Sequence, residues 1–249
     1  MPELVYPPVI AAAKTMFRVL DLRLTVEGSH HVPRTGGAVL ASNHVSYLDF
    51  IFSGYGAHES RRLVRFMAKE SVFRHKVSGP LMRGMKHIPV NRAAGAGSYA
   101  SAVSALRRGE VVGVFPEATI SRSFTVKQLK NGAARMSQEA GVPLLPVALW
   151  GTQRLWTKGR PKDLTRRHTP ITIIIGEPMD PAAHPDANTL TAELRTRLDA
   201  LVDRAQREYP DRPAGPADTW WLPAHLGGSA PTPAEAVELD RGGRRTATS

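Results

Sequence analysis

Cysteine is missing from all 249 residues of this chain. Its absence excludes disulfides, thiolate metal centres and a thiol nucleophile. Aromatic residues are sparse, at 6%, which is thin for the platforms on which nucleic-acid bases stack. No zinc-finger, RRM or other nucleic-acid spacing is present, so nucleic acid is not expected as a partner. No G-x-S-x-G elbow is present, which argues against a serine hydrolase. Nowhere does an apolar run reach the eighteen or so residues of a membrane-spanning helix. The opening Met1-Pro2-Glu3 has no basic stretch, so no secretory signal peptide is expected.

What the chain has is positive charge. Lys and Arg number 33 against 22 acidic residues, for a net charge of +11 and a pI near 10.4. Such a surface seeks anions: lipid headgroups or phosphorylated substrates. The hydrophobic fraction of 42% can supply a real core, and the length suits one large domain or two small ones.

After Pro7-Pro8, apolar residues recur at Val9, Ile10, Ala13, Met16, Phe17, Leu20 and Leu24, with Lys14, Arg18 and Arg23 on the other side. This spacing predicts a basic amphipathic helix, suited either to a bilayer interface or to packing on the domain. Apolar runs predict strands at 38–41, 61–68, 87–90, 111–115, 144–149 and 171–175. Pro146 places the fifth of these at a sheet edge or a bulge. Helices are expected between them, at 50–55, from Pro80, at 95–108, at 130–140 and at 190–202. Gly109 and Gly141 sit where helix stops are needed. Strands alternating with helices, several of them apolar throughout, predict an α/β fold: a mixed, largely parallel sheet flanked by helices. The expected division is a docking helix over 1–28, the main domain over 29–210 and a Pro/Gly-rich, loosely packed tail over 211–249, with Trp220-Trp221 anchored somewhere.

In open α/β sheets, ligands gather at the carboxyl ends of strands. Three polar clusters fall at such ends: Asn43-His44 with Asp49, Asn91-Arg92, and Pro116-Glu117-Ala118-Thr119. On a regular helix, five residues turn the chain by about 500°, so His44 and Asp49 meet only if His44 sits in the turn before the helix. A histidine held by a carboxylate there is a candidate general base. The same pair also suits a loop histidine beside an acid at a helix start. Lys69, Arg92, Arg122, Lys127 and Lys130 supply cations near these ends in sequence.

Asn43-His44 through Asp49 resembles the N-H-x4-D box of the glycerolipid acyltransferases, in the branch that includes the 1-acyl-glycerol-3-phosphate acyltransferases. Phe115 to Arg122 is similar to that family's F-P-E-G-T-R-S box. His87 to Arg92 and Val142 to Val147 are similar to its second and fourth boxes. The four come in the family's order over residues 31–149. Two positions depart from the pattern: Ala118 stands where Gly is usual, and Ile120 stands where an Arg is usual.

The resemblance implies that His44 takes the proton of an acceptor hydroxyl while Asp49 orients it. The hydroxyl oxygen then attacks the thioester of an acyl-CoA or acyl-carrier protein directly, without a covalent acyl-enzyme, metal or cofactor. Arg92 is the first choice for an acceptor phosphate. Glu117 and Thr119 shape the acceptor site, and Asn43, Lys69, Arg122 and Lys130 complete the substrate contacts. The expected acceptor is glycerol 3-phosphate or lysophosphatidic acid, at an anionic membrane on its cytoplasmic face. Acylation of another lipid or sugar hydroxyl stays open because of Ile120. A non-catalytic basic membrane-binding module is the reading from outside the enzymes.

Overall fold

The structure, a computed structural model, describes residues 3–91 and 95–245, with side chains through Gly242. Seven strands form one sheet: β1 Arg23–Glu27, β2 Ala38–Ser42, β3 Val64–Lys69, β4 Ile88–Val90, β5 Val111–Val114, β6 Leu144–Trp150 and β7 Pro170–Ile175. Their order across the sheet is β1-β7-β6-β2-β5-β3-β4. From β6 to β4 every neighbouring pair is parallel; β7 runs antiparallel to β6, and β1 parallel to β7. The sheet is therefore mixed and largely parallel, as the apolar runs predict.

Those runs are apolar throughout because both faces of the sheet are covered. In β2, Ala38 and Leu40 face α1 (Tyr6–Val19) and α2 (Asp49–Gly56), while Val39 and Ala41 face α5 (Gly95–Arg107) and α6 (Gly132–Ala140). Helix α7 (Ala187–Arg207) extends this second layer. Short helices α3 (Glu70–Arg74) and α4 (Ser78–Gly84) cover the β3–β4 end and pack against α1. Gly109 and Gly141 both take positive φ, 84° and 64°, just past α5 and α6, as helix stops require.

Two expectations change, and a third, an edge or a bulge at Pro146, resolves as a bulge. The helical stripe does not run on to Leu24: α1 ends at Val19, Asp21 turns the chain at φ 48°, and Arg23 and Leu24 begin β1. Pairing with β7 overrides the helical phase of Leu24. Pro146 lies in a central strand rather than at an edge. It is accommodated by an irregularity on its β7 side, where Val147 faces Ile175 but Leu144 pairs with Met179, leaving residues 176–178 opposite 145–146. The described part of the tail, 211–245, carries short helices and a buried anchor rather than loose chain throughout. Trp221 is fully buried against Tyr209, under the Arg154 guanidinium, and α8 (Pro233–Arg245) follows.

Candidate active site

Because β6, β2, β5, β3 and β4 are parallel, their carboxyl ends share one edge. The loops carrying His44, Glu117, Asn91 and Thr152 all leave from that edge, where Lys69 ends β3. His44 sits in the turn after β2, and Asp49 opens α2. Their side chains meet, with His44 Nδ1 2.9 Å from Asp49 Oδ2. The same oxygen accepts the backbone N–H groups of Val45 and Ser46, each at 2.7 Å, and Oδ1 accepts the Thr152 hydroxyl at 2.6 Å. Asp49 is fully buried, so its charge rests on these four donors. An ionised carboxylate only accepts. His44 Nδ1 therefore carries the ring proton, which leaves Nε2 with its lone pair. The His44 side chain keeps 20% exposure, and its ring lies on Phe115 at 4.2 Å between centroids.

The loop is held from both sides. Thr157 Oγ1 donates to Val45 O at 2.7 Å, and Ser46 Oγ donates to Trp156 O at 2.6 Å. Glu117 Oε1 accepts the His44 backbone N–H at 2.7 Å, and Oε2 accepts that of Lys127 at 3.0 Å. Burial pushes the Glu117 carboxyl up to about 8, and the two N–H groups with the Lys127 charge pull it back only in part. Asn43 bridges β2 to β6: its amide donates to Leu149 O and accepts from Leu149 N. Both ends of Asn43 and both oxygens of Glu117 thus meet backbone.

The other sequence-predicted residues divide. Ala118 adopts φ 62°, the left-handed region that favours glycine. Thr119 is half-buried and Ile120 is buried, so position 120 brings no charge to the edge. Arg122 is half-buried and joins Lys127 and Lys158 around Asp240. Lys69 and Lys130 are exposed. Arg92 lies outside the described residues. Sequence reasoning missed Thr152, Trp156, Lys158 and Asp240. Thr152 follows a strand end after Gly151 and was open to the same strand-end argument that found His44.

Two aromatic rings away from the base lies apolar space. Phe115 continues from the His44 ring to Phe66, 6.1 Å away and nearly parallel. Phe66 lines a cavity of about 380 Å³ roofed by α1, with Ile10, Ala13 and Met16 facing Phe50, Ile51 and Gly54 of α2. That volume is typical of a small-molecule pocket. Gly113 makes room for Phe66, since a Cβ there would fall 2.4 Å from the phenyl ring.

A profile of the family described as Acyltransferase matches residues 23–150. The chain is 31% identical over 202 residues to the 1-acyl-sn-glycerol-3-phosphate acyltransferase of Bacillus subtilis, covering 74% of this chain and 94% of that protein. It is 26% identical over 154 residues to the enzyme of the same name from Borreliella burgdorferi, covering 59% of each. Among solved structures, the 1-acyl-sn-glycerophosphate (LPA) acyltransferase PlsC from Thermotoga maritima superposes with a TM-score of 0.71 at 25% identity, covering 82% of this chain and 81% of that one.

Proposed function

The chain belongs to the acyltransferase family, and on that premise we propose that this O-acyltransferase of phospholipid biosynthesis moves a fatty acyl group from a thioester to a hydroxyl of an acylated glycerol 3-phosphate. One observation carries the reading. A histidine with Nδ1 on a buried carboxylate stands at the strand-end edge, joined through the Phe115 and Phe66 rings to an apolar cavity.

The step follows from that geometry. His44 Nε2 takes the proton of the acceptor hydroxyl as its oxygen attacks the thioester carbonyl. The imidazolium so formed is held by Asp49. The tetrahedral intermediate collapses, the C–S bond breaks, and the proton passes from Nε2 to the departing thiolate. Thr152 fixes Asp49, while Asn43 and Glu117 are positioning residues for the His44 loop. Thr119, Lys69, Arg122, Lys130 and Arg92 are read as substrate contacts. The cavity behind Phe66 receives the acyl chain of the donor, an acyl-CoA or acyl-carrier protein.

The enzyme works at a membrane surface. Among the described residues no helix is long and apolar enough to cross a bilayer. Leu4 and Val19 are exposed at the two ends of α1, and Val77 and Leu81 beside it on α4 and its lead-in. These side chains with the surrounding cations suit an anionic cytoplasmic leaflet. Ile120 favours a second reading, in which the acceptor hydroxyl belongs to another lipid or a sugar.

Mass spectrometry of products after mixing the protein with palmitoyl-CoA and a panel of acceptors tests both. Phosphatidic acid from lysophosphatidic acid supports the first reading. Acylation of unphosphorylated acceptors alone supports the second, and no acylated product removes both.

A further inference from the structure

Three cations converge on one carboxylate beside the proposed active site. Lys158 Nζ is 2.6 Å and Arg122 Nε 3.3 Å from Asp240 Oδ1, and Lys127 Nζ is 2.8 Å from Oδ2. Arg122 and Lys127 follow β5, and Lys158 follows β6, so the three leave the same edge as His44. Among the described residues Asp240 is their only ion-pair partner, which leaves two positive charges of the three unmatched. The cluster is tied to the base, because the Glu117 carboxyl that holds the Lys127 backbone also holds that of His44.

The seat is shaped, and its occupant comes from a helix whose described side chains bury little else. Gly159, at φ 82°, lies against Arg122, and a Cβ there would fall 2.3 Å from the guanidinium. Asp240 comes from α8, at the far end of the chain. Within 233–242 only Ala236 and Asp240 are buried, a single stripe at i and i+4. Val237 and Leu239 are nearly half exposed. Among the described side chains of the helix, Asp240 makes the only ion pairs to the rest of the chain.

We propose that Arg122, Lys127 and Lys158 form a binding site for a phosphate monoester of a substrate, and that Asp240 occupies it in the free enzyme as an intramolecular competitor. A dianion with three acceptor oxygens matches a fork and two ammonium groups better than one carboxylate does. The carrier of that phosphate rests on the acyl-transfer reading above: it is either the acceptor or the donor coenzyme. Burial alone would raise the Asp240 carboxyl, but Lys127 and Lys158 outweigh it and hold it down at about 2. The carboxylate therefore stays charged at working pH, and an anion must displace it. The apparent affinity for phosphate is reduced by the fraction of enzyme in which α8 is seated.

Calorimetric titration of inorganic phosphate into the full chain tests the site without any turnover. Asp240→Asn should bind phosphate at least roughly 10-fold more tightly, the lower end of what a charge-assisted contact contributes. Adding Lys158→Ala to that variant should reverse the gain. Equal affinity in wild type and Asp240→Asn, or a gain that survives Lys158→Ala, overturns the proposal. Wild-type protein gives a reading independent of variant folding: saturating phosphate should speed hydrogen exchange of the 236–242 amides, and unchanged or slower exchange overturns the competitor role. In acyl transfer, Lys158→Ala should raise one KM by roughly 10-fold or more. A rise for the phosphorylated acceptor assigns the acceptor's phosphate, a rise for acyl-CoA assigns the donor's, and a rise in neither overturns the site as a substrate site. Phosphate binding that persists in a chain with no acyl transfer supports the anion site and removes the functional reading instead.

Discussion

Glu117 Oε1 accepts the backbone N–H of His44 at 2.7 Å, so the loop that carries the proposed base hangs on a buried carboxyl from the neighbouring strand end. Burial raises that carboxyl from 4.5 to about 8. The folded protein then binds a proton between those values that the unfolded chain releases. The native state binds more protons there, so stability falls as pH rises from about 4.5 through about 8. Glu117→Gln removes the titration. Urea unfolding at pH 6 and pH 9 should show a smaller loss in Glu117→Gln than in wild type. Equal losses in the two proteins would mean that Glu117 is ionised throughout.

The His44–Asp49 pair predicts a loss of turnover without a loss of fold. His44→Ala should lower kcat by roughly 10²–10⁴, the usual size of a general-base contribution. Asp49→Asn should be slow for a different reason: Val45 and Ser46 N–H groups keep the amide oxygen toward Nδ1, but the charge that would hold the imidazolium is gone. Steady-state kinetics on variants with native circular dichroism decide. Wild-type turnover by folded His44→Ala would remove the assignment.

Thr152 separates the support of Asp49 from the chemistry itself. Its hydroxyl is bonded to Asp49 Oδ1, and both residues are fully buried. Thr152→Val leaves that oxygen without a donor, at a cost of about 1–3 kcal/mol in stability. Thr152→Ser keeps the hydroxyl and should recover most of the stability and of kcat. If valine matches the wild type in urea unfolding while serine is the less stable variant, the bond contributes nothing and only the methyl matters.

The physics of what was legible runs through particular residues. Strand runs such as Val111–Val114 and Ile171–Ile175 are readable because both faces are covered, which removes the ambiguity of alternation. Gly109 and Gly141 are readable because left-handed stops favour one residue type. The His44–Asp49 pair is local, five residues apart. By contrast, β1 is a short strand whose Leu24 falls in phase with the preceding helix, and only its partner β7 reveals it. The Thr152 bond to Asp49 spans 103 residues and the Arg122–Asp240 pair 118; sequence spacing carries no trace of either. Gly, Pro and charge in the tail point to loose packing, while the adjacent Trp220-Trp221 marks an anchor, and Trp221 supplies it fully buried.

Membrane docking has a test that spares the cavity. Leu4 and Val19 are 76% and 62% exposed at the two ends of α1, while Ile10, Ala13 and Met16 face inward. Leu4→Asp and Val19→Asp leave the inner face untouched. Each should weaken sedimentation with anionic vesicles, and binding by the wild type should fall as salt rises, since headgroup contacts are screened over about 8–10 Å at physiological ionic strength. Full binding by the double variant would assign α1 to packing alone.

The cavity makes a prediction about chain length. Gly54 of α2 faces it, and a Cβ there would make ordinary contact with the Phe66 ring, at 3.4 Å. Gly54→Leu therefore adds volume inside the pocket without a backbone clash, and it removes a glycine from a helix interior. If the acyl chain lies in this space, lost room excludes its far end first. Each methylene in an apolar pocket is worth about 1–3 kcal/mol of discrimination. In Gly54→Leu, kcat/KM for palmitoyl-CoA should drop by roughly 10-fold or more relative to decanoyl-CoA. Competition between the two donors in one reaction reads this ratio directly, independent of enzyme concentration and of small stability changes. An equal loss for both lengths would mean that the substitution disturbs the His44–Phe115–Phe66 stack rather than the pocket, and the acyl chain would have to be sought elsewhere.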